Sequence, residues 1–160
     1  MKQIDEAMYG IRKRQNKFNE IFDQDVVFLD VNFTQLLIFA MTDKAQDVNY
    51  KCDEGLQSYW VGQTPKLGKS WKHMKALYTI HLVNGNHWVG VKVDLQICEI
   101  FVFYCNMKLC DEFDVGAFME PLCTMKPIML KQSGMFDELG EKLRSPWPCK
   151  RVKDLPQNKK

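Results

Sequence analysis

The sequence predicts an α+β domain in which helices flank a central antiparallel sheet. In the middle of the chain, three runs rich in Val, Ile, Phe, Tyr and Trp are separated by turn-sized gaps, as antiparallel strands are. Before and after these runs, apolar residues recur at helical spacing. The order helices, strands, helices favours an α+β fold. A chain of 160 residues fits one domain with a real core, so we expect a single domain over residues 1–160.

Two helices are predicted before the strands. The first has acidic residues in its first turn and ends before Asn19, and its apolar positions are Ile4, Met8, Ile11 and Phe18. A short apolar run, residues 26–29, follows it. Asp30 then has the chemistry of an N-cap for a second helix. Its core-facing stripe comprises Phe33, Leu36, Leu37, Ala40 and Met41.

Residues 42–75 are polar and contain three glycines and a proline, which predicts a loop around a short helix at 56–61. Four lysines cluster near the end of this loop, at positions 66, 69, 72 and 75. A solvated loop face is the simpler interpretation of them, and a binding patch for an acidic partner is the alternative.

The predicted strands cover residues 77–83, 88–95 and 99–104. The third strand is apolar on both faces at 100–103, so we expect it inside the sheet with other elements packed on each side. A helix follows over Asp111–Met125, and Pro127 is expected to interrupt or kink it. Residues 136–143 are amphipathic, and residues 147–152 predict one more strand.

Composition excludes several classes of function. A net charge of +2 gives no electrostatic footprint for nucleic acid. The amino terminus lacks the apolar core of a secretory signal, and no run of about 18 apolar residues predicts a membrane span. We therefore expect an intracellular protein whose cysteines stay reduced. They are Cys52, Cys98, Cys105, Cys110, Cys123 and Cys149.

The cysteine spacing predicts neither a metal site nor a metal cofactor. Structural zinc sites use close ligand pairs such as Cys-x-x-Cys. Cys105 and Cys110, the nearest two, are five residues apart. We interpret the six cysteines as small buried hydrophobic residues, and we expect no cofactor.

Gly85–Leu95 is the most informative segment for chemistry. It places His87 at the mouth of an apolar strand, with Trp88 beside it. A neutral imidazole there can act as a general base if a neighbouring group fixes its tautomer. Taken alone, a histidine before a strand is more often structural, and His73 and His81 are interpreted as structural.

Several segments, in this order along the chain, resemble the ubiquitin-like protease family of cysteine peptidases, especially its plant branch. The resemblance covers most of the chain. The segments in and after the predicted hairpin are Val83–Val89, Val93–Leu95, Glu99–Phe103 and Val152–Asn158. The others are Asp53–Tyr59, Gly68–Trp71 and Leu122–Met125.

The resemblance implies a papain-like α+β fold and cleavage after the C-terminal glycines of SUMO or related modifiers. The family uses a His, an Asp and a Cys, with a Gln in the oxyanion hole. His87 matches the general base, and Trp88 matches the tryptophan that covers the channel for the modifier's glycine tail. The aspartate's position falls on Tyr104, seventeen residues after His87. A tyrosine is neutral at pH 7 and cannot offset an imidazolium, so the resemblance implies a large loss of activity.

The family's nucleophile lies in an Asp-Cys-Gly motif shortly after a Pro-Gln-Gln type segment. Here Pro156 is followed by Gln157 and Asn158, one of which matches the oxyanion position, and Asn158 is favoured if no gap is allowed. The resemblance thus implies a catalytic domain whose C-terminal part, with the nucleophile, lies beyond Lys160. Neither Cys105 nor Cys149 is expected to replace it.

Three functions follow from the resemblance. We favour an inactive, truncated relative of the SUMO proteases. An authentic peptidase with further coding sequence is one alternative, and a non-catalytic module that binds a ubiquitin-like modifier is the other. The expected partners are SUMO or related modifiers and their conjugates, with no nucleic acid and no membrane. We expect a monomer, and nuclear placement is suggested by the family only.

Overall fold

The computed structural model describes residues 1–44, 49–104, 112–144 and 146–156. Within these ranges the chain forms helices around one five-stranded sheet. The elements are, in chain order, α1 (Lys2–Lys17), β1 (Val26–Phe28), α2 (Val31–Lys44), α3 (Glu54–Trp60), β2 (Ala76–Val83), β3 (His87–Asp94), β4 (Glu99–Phe103), α4 (Glu112–Ser133), a 3-10 helix (Asp137–Leu143) and β5 (Cys149–Arg151). This arrangement confirms the predicted α+β class.

The sheet is mixed, whereas the sequence predicted an antiparallel one. Its strands lie in the order β1-β2-β3-β4-β5. The central three are antiparallel, as predicted, but β1 runs parallel to β2 and β5 runs parallel to β4. Parallel neighbours need long crossover connections. The segment with α2 and α3 supplies the first connection, and the segment with α4 supplies the second.

The core lies on one face of the sheet. On that face Leu77, Val91 and Val102 are buried, and α2 and α4 pack near them. β4 lies inside the sheet, as expected, between β3 and β5. The prediction that other elements pack on both faces of β4 is only half correct, because Phe101 and Phe103, on the face away from the core, are only half-buried.

The first helix is present where it was predicted, but its buried side differs from the apolar pattern. Met8 is buried, whereas Phe18 is 43% exposed. Arg12 and Gln15 are buried instead. Arg12 Nε donates to Lys66 O at 2.9 Å, and Gln15 Nε2 donates to Val26 O at 2.9 Å. These long polar side chains are buried because they satisfy backbone carbonyls that water would otherwise solvate.

The last α-helix is longer than predicted. It continues through Pro121 and Pro127 to Ser133, and the predicted first residue, Asp111, lies outside the described residues. Pro127 cannot donate to the carbonyl of Cys123, one turn earlier. That carbonyl accepts a hydrogen bond from the Trp147 N–H instead, at 3.0 Å. Burial further offsets the cost of the prolines, since Met119, Leu122, Met125 and Met129 have no exposed surface.

The remaining elements agree with their predictions in position. The predicted short helix at 56–61 is α3, which is capped by Asp53 through a 2.9 Å bond from Leu56 N. The amphipathic segment 136–143 forms the 3-10 helix, and the predicted strand 147–152 contains β5.

Asp30 joins two of the helices. Its Oδ1 accepts a 3.1 Å hydrogen bond from Phe33 N, which confirms it as the cap of α2. The same oxygen accepts a 2.7 Å hydrogen bond from the hydroxyl of Tyr59 on α3. Burial and then this hydrogen bond raise the pKa of Tyr59 above its usual value, so the hydroxyl remains a donor. One carboxylate therefore fixes α2 against α3.

We expect Asp30→Ala to lower the free energy of unfolding by about 2 kcal/mol, because it removes a helix cap and leaves the Tyr59 hydroxyl without its acceptor. Urea denaturation measures this change. Glu20→Ala, at an exposed acidic position, is the matched control and should change stability by less than about 0.5 kcal/mol. Equal effects of the two variants would contradict the proposed role of Asp30.

Candidate active site

His87 is the first residue of β3 and pairs with Val83 of β2. In the three-residue turn between them, Asn84 and Gly85 have φ of 51° and 70°. Asn and Gly adopt this left-handed conformation more readily than other residues, which explains their place in the hairpin. The turn thus holds His87 at the mouth of the strand, where its half-buried ring borders both core and solvent.

Strand alternation separates His87 from its neighbour Trp88. His87 falls on the same face of β3 as Val89 and Val91, both of which are buried in the core. Trp88 falls on the opposite face and is half-buried. A peptide that contacts both residues therefore has to pass over the end of β3, next to the turn.

Tyr104 follows β4 directly and is buried. Gly90 pairs with Phe103, so continuing this register places Tyr104 beside Val89, on the face toward the core. His87 then lies one diagonal position away on the same face, at a backbone separation of about 7–8 Å. The register therefore brings His87 and Tyr104 to one end of one face.

Arg151 adds a positive charge next to Tyr104. Its guanidinium carbon lies 4.7 Å from the centre of the Tyr104 ring, a cation–π distance. Its NH2 group also donates to Tyr104 O at 3.3 Å. Sequence reasoning missed this residue, because only the pairing of β5 with β4 brings position 151 beside position 104. A guanidinium thus lies next to the residue at the position where the family resemblance implies a carboxylate.

The segment after β5 continues toward the same end of the sheet. Since β5 is parallel to β4, the chain leaves Arg151 in the direction in which β4 reaches Tyr104. The Val152 N–H extends the pairing with a 2.9 Å hydrogen bond to Val102 O. The two candidates for the oxyanion position, Gln157 and Asn158, lie outside the described residues.

Two of the described cysteines lie far from His87 along the strands. Cys149 pairs with Ile100. Ile100 lies four residues before Tyr104, which corresponds to about 13 Å along the strand. Cys98 precedes β4, at the same remote end. Cys105, the other candidate nucleophile, lies outside the described residues, as does Cys110. Burial raises the pKa of Cys52 to about 11, which keeps that thiol protonated.

Two acidic residues of the central hairpin also lie at that remote end. Asp94 pairs with Glu99, seven residues along β3 from His87, which corresponds to about 23 Å. Both carboxylates have cationic partners: Asp94 pairs with Lys92 at 3.0 Å, and Glu99 pairs with Lys150 at 2.8 Å. Neither is therefore placed to orient His87.

The contacts of His81 indicate a structural role, as predicted from the sequence. It is buried on the core face, where its Nε2 donates to Phe118 O of α4 at 2.8 Å. Burial lowers its pKa, which favours the neutral ring. His73, the third histidine, is exposed.

Among the described residues, no group of three His, Cys, Asp or Glu side chains is arranged to hold a metal ion. In the same part of the chain, none of the helices has the length and apolar character needed to cross a membrane.

Comparison with protein families gives a match over the whole chain. The family described as "Ulp1 protease family, C-terminal catalytic domain" matches residues 1–160. Comparisons with curated proteins and with solved structures found no match.

Proposed function

Because the chain belongs to the Ulp1 protease family, we propose that it supplies the general base of a cysteine-peptidase active site that acts on a ubiquitin-like modifier. His87 is the general base, Trp88 contacts the modifier's glycine tail, and Tyr104 occupies the position of the triad carboxylate. The proposal rests mainly on one observation: the register of β3 and β4 places His87 and Tyr104 on one face at one end of the sheet.

In this proposal, Tyr104 makes the site a weak catalyst. General-base catalysis converts His87 to an imidazolium, which a neighbouring carboxylate would stabilise. A neutral phenol cannot supply the negative charge of a carboxylate. The guanidinium of Arg151, 4.7 Å from the centre of the Tyr104 ring, instead adds a positive charge, which disfavours an imidazolium nearby. The proposal concerns the general base and not the nucleophile, since the Asp-Cys-Gly motif does not occur within residues 1–160. One of Gln157 or Asn158 is proposed for the oxyanion position.

The second candidate function is binding of a ubiquitin-like modifier without cleavage. The observation that favours it is the half-buried Trp88, on the face of β3 opposite to the core. Aromatic side chains of this kind contribute strongly to protein interfaces. For either function we propose SUMO or a related modifier as partner, a monomeric domain of papain-like fold, a place in the family's plant branch, and an intracellular location.

We expect Trp88→Ala to weaken binding of a labelled SUMO-type modifier by about tenfold or more, because an anchoring tryptophan is removed. Titration followed by fluorescence anisotropy measures this change. Phe39→Ala is the matched control, since Phe39 is 64% exposed on α2, which packs on the other face of the sheet. Absence of binding by the unmodified chain, with its fold intact, would overturn both candidate functions.

A cleavage assay separates the two functions. The chain, extended past Lys160 by the Asp-Cys-Gly segment of a family member so that a nucleophile is present, and its His87→Ala variant are incubated with a SUMO precursor, and release of the precursor's C-terminal extension is followed. Cleavage that depends on His87 supports the peptidase. Binding without cleavage above the His87→Ala background supports the binding module.

A further inference from the structure

Two cysteines meet between α4 and β5. Cys123 lies on α4 and is buried, and Cys149 is the first residue of β5. The 3.0 Å hydrogen bond from Trp147 N to Cys123 O holds the two elements together next to this pair. The two thiols lie close enough to interact with each other. The fold therefore brings into contact two sulfur atoms that are separated by 25 intervening residues.

Cys149 also has a path to solvent. It is only half-buried and lines a cavity of about 420 Å³. The other lining residues, among those that the structure describes, are Val115, Gly116, Lys150, Arg151 and Lys153. A small oxidant can enter a cavity of this volume, since one water molecule needs only about 30 Å³. Cys123 is not among the described residues that line this cavity, so an oxidant in the cavity reaches Cys149 and not Cys123.

The interaction between Cys123 and Cys149 also makes the two thiols chemically different. It lowers the pKa of Cys149. The same interaction, together with burial, raises the pKa of Cys123. Burial raises the pKa of Cys52 and Cys98 as well. Because the thiolate is the reactive form and an oxidant has to reach it, the place of Cys149 on the cavity, together with its lowered pKa, makes it the point of attack.

We propose that Cys149 is a peroxide-sensitive thiol and that Cys123 is its resolving partner, so that oxidation links β5 to α4 by a disulfide. In the first step the Cys149 sulfur attacks hydrogen peroxide. The O–O bond breaks, an S–O bond forms, and one water leaves, which gives a sulfenic acid. The Cys123 sulfur then attacks the Cys149 sulfur. The S–O bond breaks, and hydroxide leaves with the proton of Cys123 as a second water. Overall, two thiols are oxidised to a disulfide and one peroxide is reduced to two waters.

Peptide mapping of the peroxide-treated, folded chain tests this proposal. A protease that cuts before aspartate places the two cysteines in separate peptides, 114–136 and 137–153, each with one cysteine. We expect these two peptides to be joined under non-reducing conditions and to separate after reduction. Oxidation in concentrated guanidinium chloride should instead distribute the links among all six cysteines.

Three variants assign the roles. Cys123→Ser should leave the sulfenic acid at Cys149 unresolved, so that dimedone labels Cys149 and the link is lost. Cys149→Ser should lose both the link and the dimedone label at this site. Cys98→Ser, at a buried cysteine outside the pair, should keep the link. No 123–149 link in the folded wild-type chain, or no dimedone adduct at Cys149 in folded Cys123→Ser, would overturn the proposal.

Discussion

Replacing Lys126 with methionine is expected to stabilise the fold by on the order of 2 kcal/mol at neutral pH. Lys126 lies on α4 and has no exposed surface. Its Nζ lies 3.9 Å from the centre of the Phe33 ring and 4.1 Å from that of Trp71. Among the described residues it has no hydrogen-bond partner. Methionine fills a similar volume without a polar terminus.

The two aromatic faces only partly offset the cost of this burial. A desolvated cation–π contact contributes about 2 kcal/mol. Loss of hydration costs an isolated ammonium much more, so the group becomes neutral when the site is buried. Burial accordingly lowers the pKa of Lys126 well below its usual value. At neutral pH, folding therefore has to remove a proton from this lysine or bury its charge.

The pKa shift gives the benefit of the substitution a definite dependence on pH. The unfolded chain holds the Lys126 proton up to about pH 10.4. The folded chain releases it at the lower, shifted pKa. Between these two values the unfolded state binds more protons, so the stability of the wild type rises with pH. The advantage of Lys126→Met should therefore shrink as pH rises toward about 10.4.

Urea denaturation at several pH values measures both effects. Lys131→Met is the matched control, since Lys131 lies on the same helix and is exposed. It should change stability by less than about 0.5 kcal/mol at any of these pH values. If Lys126→Met destabilises the chain, or if its effect is the same at every pH, burial of the Lys126 ammonium does not destabilise the fold.

Local patterns in the sequence predict most of the fold. Asp30 is identified as a helix cap because its side chain bonds within its own turn, to Phe33 N. The hairpins follow from alternation and from the turn residues Asn84 and Gly85. These features depend on neighbours in sequence. The parallel edges of the sheet depend instead on where α2 and α4 pack, which no local pattern specifies.

The helix through Pro127 and the burial of Lys126 illustrate the same limit. Both residues disfavour a buried helix by their own chemistry. They are accommodated by partners distant in sequence. The Trp147 N–H donates to Cys123 O in place of the missing proline N–H, and the ring of Phe33 faces the Lys126 ammonium. Local propensity is overridden wherever tertiary packing supplies such partners.

For the candidate site, the sequence identified residues but not all their neighbours. His87, Trp88 and Tyr104 were identified from the hairpin pattern and the family resemblance. Arg151 was missed because its contact with Tyr104 needs the pairing of β5 with β4. The cysteine pair was missed for the same reason, since Cys123 and Cys149 meet only when α4 packs on β5.

The largest expected effect on catalysis concerns Tyr104. In a chain extended past Lys160 by the Asp-Cys-Gly segment of a family member, we expect Tyr104→Asp to raise kcat/KM for a SUMO precursor by on the order of a thousandfold. An aspartate at this position would place a carboxylate diagonally from His87, where it can hold the ring and offset the imidazolium charge. Hydrolysis of a fluorogenic SUMO conjugate measures the change.

Tyr104→Asn is the matched control for this gain, because it has the size of aspartate without its charge. It should recover little activity, and adding His87→Ala to Tyr104→Asp should abolish the gain. Arg151 competes for the new carboxylate, since its guanidinium lies 4.7 Å from the present ring. Adding Arg151→Gln to Tyr104→Asp should therefore raise kcat/KM further. An equal gain from asparagine and aspartate would show that the missing charge at position 104 does not limit this site, because only the aspartate can stabilise an imidazolium.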